Sequence, residues 1–439
     1  MDNPTEPILN ANEYYVTHIK QTALYCILLV PLLIPLISHK LHLRKNPRPK
    51  GCRKLGLPPN KSNLHDEYHP KYSQPVPETD TDTPSWRIKA LFAYPIKSCT
   101  GIELDVADIV PTGFTYDRQF CFAEYITPKT NANSQQPHWT VRTLRDGDLC
   151  RLALIKPEIW VPDPTAPDYS PSLDEVQSHG VMVIHYPRVP QSLICKISLA
   201  LGLLPKHQSF SVPFLPKTTH SYPSAPLKVW KDFPPSYNYA IHLPPSLHHF
   251  LDPHSTRGPL SLFRANPSHP RQIFRNAPRK PDLGFQPVTG FADAYPIHLL
   301  SLSSVQHVAA KCRPEIPHLS IRRFRANMII QGPGPFEEDG WKRIRVSDVD
   351  MYTACRTIRC RLPNVDPDTG VRHPSQPDRT LKAYRRIDRG DLTNAALGMQ
   401  VVPALRECRI RVGDRIQVLE TGEHCYIKML KPGEVVEGV

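Results

Sequence analysis

Cys360 stands between Arg359 and Arg361 in the string RCRLPNVDPDTG, and two adjoining guanidinium groups favour the thiolate form of a cysteine. A thiolate is a nucleophile and a soft ligand for a transition metal. The competing reading is a small buried hydrophobe, which is what most isolated cysteines are. The chain has eleven cysteines, an odd number scattered without paired spacing, which does not resemble a secreted disulfide framework and points to reduced thiols. No C-x-x-C pair occurs, so neither a structural zinc site nor a thioredoxin-type redox pair is expected.

Whatever Cys360 does, strands must position it. From Trp86 onward, short β-type runs recur between turn residues: WRIKALFAYP, IELDVADIV, the alternating YDRQFCFAEY, and RLALI around Leu152 to Ile155. IHLLSL, ANMIIQG, KRIRVSDV and RIQVLE continue the pattern after Tyr295. Helical periodicity is confined to Pro190 to Leu204 and to Ser303 to Cys312, and residues 205 to about 290 read as long loops over a few strands. Fifty prolines among 439 residues, more than double the usual share of roughly 5%, exclude a long helical bundle.

The net charge of +13 admits nucleic acid, anionic lipid or an anionic cofactor as partner. Its strongest run, from Lys40 to Lys54, follows the one long apolar stretch, TALYCILLVPLLIPLIS at residues 22–38. That stretch is short for a membrane span and holds Pro31 and Pro35, yet it predicts a transmembrane anchor with the folded part in the cytosol. Dispersal of the remaining charge, with no aromatic-basic RNA motif, argues against nucleic acid.

YPIKSCTGIEL with GFTYDRQF resembles the β-barrel domain that precedes MOSC domains. RFRANMIIQG with FEEDGW, then RCRLPNVDPDTG with LKAYR, resembles the MOSC domain itself, as in the mitochondrial amidoxime-reducing component and the molybdenum-cofactor sulfurase C-terminus. The resemblance implies an α+β, mostly β fold: a MOSC N-terminal β-barrel domain at 86–290 with a loop-rich insertion, and a barrel-like MOSC domain at 291–430. Before them come a tail (1–21), the transmembrane helix (22–38) and a basic, Pro-rich linker (39–85) standing the folded part off the membrane.

It also implies a molybdenum-pyranopterin cofactor between the two domains, with Cys360 as metal ligand and catalytic centre. Lys97, Ser98, Arg118, Arg142, Ser301, Arg325, Asn327 and Arg359 match positions that contact the cofactor in the family, where its phosphate calls for fixed donors and positive charge. Structural roles compete: Arg118 can pair with Asp117, and Asp366 to Gly370 has the residue types of a tight turn. Two departures matter. Thr357 stands where the family has a second cysteine, with Cys355 two residues earlier, and Ala326 replaces a proline.

The implied activity is reduction of small N-hydroxylated compounds, amidoximes and hydroxylamines. The electrons come from a cytochrome b5-type donor and its NADH-dependent reductase, at the mitochondrial outer membrane rather than the endoplasmic reticulum. Consistently, the chain lacks a Gly-x-Gly-x-x-Gly fingerprint and ferredoxin cysteine spacing. The alternatives are a non-catalytic cofactor or sulfur carrier resembling the sulfurase C-terminus, and a membrane-surface scaffold. A pyridoxal phosphate link follows only from the sulfurase resemblance and is not expected here.

Overall fold

The run WRIKALFAYP folds as the strand Arg87–Ala93, whose last four residues are all buried. The computed structural model describes residues 15–16, 18–25, 27, 29–30, 33, 48–77, 85–127, 136–216 and 221–428. Arg87–Ala93 pairs with Met328–Gln331 on one side and Ile102–Leu104 on the other, so a strand from the start of the folded part completes a sheet built from its end. That sheet has eight strands, in the order Ile416–Thr421, Trp341–Val346, Val349–Ile358, Ala396–Pro403, Ile297–Ser301, Met328–Gln331, Arg87–Ala93 and Ile102–Leu104. Its core gathers Ile88, Leu91, Leu299, Met328, Trp341, Met351 and Val401, all at most 2% exposed. The helix Leu302–Cys312 covers the other face through Leu302, Val305, Val308 and Cys312.

Five strands close into a barrel: Ser224–Lys228, Pro235–Asn238, Leu260–Ala265, Phe120–Ile126 and His138–Val141. The sequence reading expected two barrel-like units; among the described residues one barrel closes, and the C-terminal strands form the open sheet. Beside the barrel, Cys52–Lys54, Lys156–Pro162, Val181–Pro187 and His207–Pro213 make a four-stranded sheet. The eight-stranded sheet and the barrel are stitched together where residues 94–97 run beside residues 118–120. Lys97 N donates to Phe120 O at 2.8 Å, and Arg118 N to Tyr94 O at 2.7 Å. This crossing delivers Lys97, Ser98 and Arg118 to the seam.

The mostly β, α+β class is what the sequence led us to expect, but the transmembrane helix is not: no helix among the described residues is long and apolar enough to cross a membrane. Of the stretch 22–38, residues 26, 28, 31–32 and 34–38 lie outside the described residues, as do the whole of 1–14 and 39–47. In the sequence the apolar run is interrupted by two prolines, each of which removes a helix hydrogen bond.

RLALI is not a strand. Gly147–Leu154 is 3-10 helical, burying Leu149, Leu152 and Ala153 at a helical spacing that the contiguous apolar run disguises. The described part of the expected linker, residues 48–77, packs on the body rather than standing free. Cys52–Lys54 pairs with Lys156–Pro162, and Leu64 and Tyr72 are buried. Its Glu67 carboxylate accepts from Ser320 Oγ at 2.9 Å and from Ile321 N at 3.0 Å, fixing the start of the 3-10 turn Ile321–Phe324. A few apolar side chains and one buried acid suffice to hold a segment whose composition reads as linker.

Candidate functional site

Where the eight-stranded sheet meets the barrel, a cavity of about 630 Å³ opens. Cys360 enters it from the end of Val349–Ile358. That strand pairs with Ala396–Pro403 through two register shifts, between Thr353 and Cys355 and between Arg356 and Ile358. Each shift inserts an unpaired residue and bends the strand, and bulges of this kind re-aim the side chains that follow. Thr357, at the second shift, lines the cavity and its hydroxyl accepts from Gln400 Nε2 at 3.0 Å. Cys355 is fully buried, and burial pushes its thiol up to about 12, so it sits protonated behind the wall at neutral pH.

The sulfur of Cys360 is not alone. Arg145 Nε lies 3.0 Å from it, and the backbone N of Leu362 lies 3.5 Å away. Arg145 also donates through Nη2 to Asp293 at 2.7 Å, and Asp293 in turn accepts from the buried Lys97 ammonium, which donates to Phe291 O at 2.7 Å as well. Burial opposes the Arg145 charge, but Asp293 and the Cys360 sulfur outweigh it and raise its pKa. Burial likewise opposes the Asp293 charge, yet Arg145 and Lys97 hold the carboxyl well below its usual range. Burial pulls Lys97 down, with Asp293 working against that pull. At neutral pH Asp293 is therefore an anion that orients two cations, and it has no proton to give.

Arg325 and Asn327 flank the turn into Met328–Gln331. Asn327 is fully buried and all of its capacity is spent: Nδ2 donates to Phe92 O at 3.0 Å and Asp117 Oδ1 at 2.9 Å, and Oδ1 accepts from His298 N at 3.1 Å and Arg118 Nη1 at 2.9 Å. Arg118 completes the seam, donating to Asp117 Oδ2 at 2.6 Å and to Arg325 O at 3.0 Å. Arg325 and Arg118 both stand over the Tyr94 ring, at 4.3 and 4.9 Å. Burial lowers Arg325 and Arg359 to about 10, so both remain cations at neutral pH. Burial, then Arg359, keeps His298 well below the usual imidazole value, hence neutral.

Three features of the lining suit this cavity to an anion. Eight lysine or arginine side chains line it, against only two carboxylates, Asp293 and Asp391. Four buried polar atoms in its wall lack a hydrogen-bond partner: Arg325 Nη2, Arg356 Nε, Arg359 Nε and the Tyr295 hydroxyl. Leaving such a donor unmet costs about 1–3 kcal/mol each, a cost that a bound acceptor would remove. Finally, Ser98, Arg118, Trp230 and Arg325 all line it with positive φ (71, 47, 58 and 58°), four of the nine such non-glycine residues described. Backbone strain of this kind collects at ligand sites, where surrounding contacts can hold it.

Family models match in the same places: the MOSC domain over residues 286–417 and the MOSC N-terminal beta barrel domain over residues 85–155. The chain carries a MOSC domain. It is 36% identical over 98 residues to mitochondrial amidoxime reducing component 2 of Rattus norvegicus and 37% over 100 residues to the Homo sapiens protein of that name. A molybdenum cofactor sulfurase of Arabidopsis thaliana is 31% identical over 99 residues. Each match covers 22% of this chain, and 28%, 30% and 12% of the respective relatives, so the likeness spans less than a third of any of them.

Of the residues singled out in the sequence, Lys97, Ser98, Arg118, Arg325, Asn327, Arg359 and Cys360 line the one cavity, although they come from segments more than 250 positions apart. Arg142 and Ser301 do not line it. Arg142 is bound to Glu124 at 2.8 Å within the barrel, and Ser301 is fully buried with its hydroxyl 2.8 Å from Ser303 Oγ. Asp366 to Gly370 forms the turn its composition demands: Asp366 accepts from Asp368 N and Thr369 N and pairs with Arg323 at 2.6 Å. Sequence reasoning passed over Arg145, Asp293 and His298. Arg145 lies three residues beyond Arg142 in the same basic stretch, but its aim depends on the turn after His138–Val141, which no spacing rule encodes.

Proposed function

We propose that the cavity holds a molybdenum-pyranopterin cofactor with the Cys360 sulfur as its protein ligand, and that the protein reduces small N-hydroxylated compounds. The observation that carries this reading is a cysteine sulfur opening into a strongly cationic cavity in which three buried guanidinium nitrogens lack acceptors. The residues fit the group. A dithiolene needs one further thiolate, not a cluster of protein ligands, and no group of three or more His, Cys, Asp or Glu side chains suited to a metal occurs among the described residues.

Lys97, Ser98 and Arg118 at the seam and Arg325 and Arg359 across from them would hold the anionic cofactor. Bound there, it would supply two-electron redox chemistry and an acceptor for oxygen. The overall change is R–NHOH with two electrons and two protons giving R–NH2 and water. This chain's own residues position and screen: Arg145 fixes the sulfur and, through Asp293, the Lys97 ammonium. His298 contributes an uncharged wall. Electrons would arrive from a separate protein, a cytochrome b5-type donor served by an NADH-dependent reductase, and the mitochondrial names of two relatives support residence in that organelle.

The test is reduction of benzamidoxime by the purified, cofactor-loaded full chain with reduced viologen as electron source. Turnover that depends on Cys360 supports the reading. A protein loaded with molybdenum and pterin that reduces neither amidoximes nor hydroxylamines is a cofactor carrier instead, the reading to which the sulfurase likeness lends support.

A further inference from the structure

One region of the cavity wall takes no part in the arrangement around Cys360. It is formed by Arg275, Tyr295 and Tyr426, from three separate segments. Arg275 stands over the Tyr295 ring at 5.5 Å, and among the described residues no carboxylate lies within ion-pair distance of it. The Tyr295 hydroxyl, in a residue only 3% exposed, has no well-formed hydrogen bond and meets the Cys355 thiol and the Asn276 backbone, both at the edge of bonding geometry.

The C-terminal segment is pinned so that Tyr426 completes the group. Asn276, next to Arg275, donates from Nδ2 to Cys425 O at 2.9 Å and accepts at Oδ1 from Ile427 N at 3.2 Å, so one amide brackets Tyr426 and holds it beside Arg275. Tyr426 N donates to Asp388 at 2.7 Å. The segment crosses so close above Gly390 that any Cβ there would collide with the Tyr426 backbone. Nearby Arg356 is already matched by the buried Asp388 and by His424 O, which leaves Arg275 as the cation of this wall without an ion pair among the described residues.

We infer that Arg275, Tyr295 and Tyr426 form a subsite for a carboxylate carried by the substrate. One guanidinium and two phenol hydroxyls supply a single positive charge and several donors, which matches a monoanion with two acceptor oxygens. A dianionic phosphate would leave one charge uncompensated at this wall. The inference rests on the proposed reduction for its substrate: the favoured compounds are N-hydroxylated molecules that also bear a carboxylate.

The experiment compares benzamidoxime with its para-carboxylate using the cofactor-loaded full chain, in wild type, Arg275→Gln, Arg275→Lys and Tyr426→Phe. Wild type is expected to prefer the carboxylate by roughly 10- to 100-fold in kcat/KM, mostly through KM, the range for a charge-assisted hydrogen-bonded pair. Arg275→Gln brings that ratio close to one, Arg275→Lys restores part of it, and both variants keep their molybdenum. An absence of preference in wild type, or a ratio untouched by Arg275→Gln, overturns the subsite. Molybdenum lost from Arg275→Gln also overturns it, because Arg275 then serves the cofactor. If wild type reduces neither compound, the reductase reading fails, and calorimetric titration with benzoate still decides this one: binding that Arg275→Gln abolishes sustains the subsite, and no binding ends it.

Discussion

Arg145 Nε sits 3.0 Å from the sulfur of Cys360 while the other arm of the same guanidinium holds Asp293 at 2.7 Å, so one side chain couples the cysteine sulfur that lines the cavity to its charge network. A lysine cannot reproduce that fork, because its charge is a point rather than a plane. Removing the groups that orient a metal ligand typically weakens metal affinity roughly 10- to 100-fold. Arg145→Met is therefore expected to lose most of its molybdenum on dialysis, and Arg145→Lys to lose less, as read by metal-to-protein ratio. Full retention in Arg145→Met would mean that the sulfur needs no such support.

Asn327 is a structural keystone as much as a site residue. Asn327→Ala removes one hydrogen bond each from Asp117, Arg118 and the Phe92 carbonyl and strands the His298 N–H in a dry seam, and is expected to cost about 3 kcal/mol. Denaturant unfolding checks this, and a loss below about 1 kcal/mol would show that the seam relaxes around the gap.

The sequence resemblance puts Arg142 and Ser301 among the expected cofactor contacts, but neither lines the cavity. Ser301→Ala and Arg142→Ala are expected to retain molybdenum and pterin as well as wild type does. Ser301→Ala should cost no more than about 1 kcal/mol, because only the bond to Ser303 is lost. Cofactor loss in either variant would place the binding determinants beyond the cavity wall described above.

Glu338, in the FEEDGW string, is fully buried, and burial, then neighbouring Asp339, pushes its carboxyl up to about 7; Ser304 Oγ lies 2.8 Å from both of its oxygens. Between the unfolded value near 4.5 and about 7, the native state keeps the proton while the unfolded chain releases it. Stability contributed by this group is thus complete below pH 4.5 and is lost as pH rises through 7, by about 3 kcal/mol in all. Glu338→Gln should flatten that decline in unfolding free energies measured from pH 4.5 to 8. An unchanged slope would mean that Glu338 is ionised in the native state.

The strands were legible because alternation and β-branched runs carry their own period: Arg87–Ala93, Phe120–Ile126, Met328–Gln331 and Ile416–Thr421 all fall on runs picked from the sequence. Cys360 was legible only with its flanking string, since a lone cysteine has no spacing to read. Residues 48–77 were misread because composition measures how many apolar groups a segment has, whereas Leu64, Tyr72 and Glu67 show that a few well-placed ones decide whether it packs. Gly147–Leu154 was misread because RLALI is too short to separate period two from period three. Arg145, Asp293 and Arg275 were hidden for a different reason: they reach the cavity through loops, and loops leave no periodic trace.

Metal and pterin analysis of the purified full chain tests most directly whether Cys360 holds molybdenum in this cavity. The full chain is the right material because residues 48–77 fold against the body and brace the turn that carries Arg325. Near-stoichiometric molybdenum and pterin in wild type, with the metal lost in a Cys360→Ala variant that melts at the same temperature, is the predicted result. Folded wild type without molybdenum or pterin, prepared from a host that makes the cofactor, or a Cys360→Ala variant that keeps its metal, would contradict it.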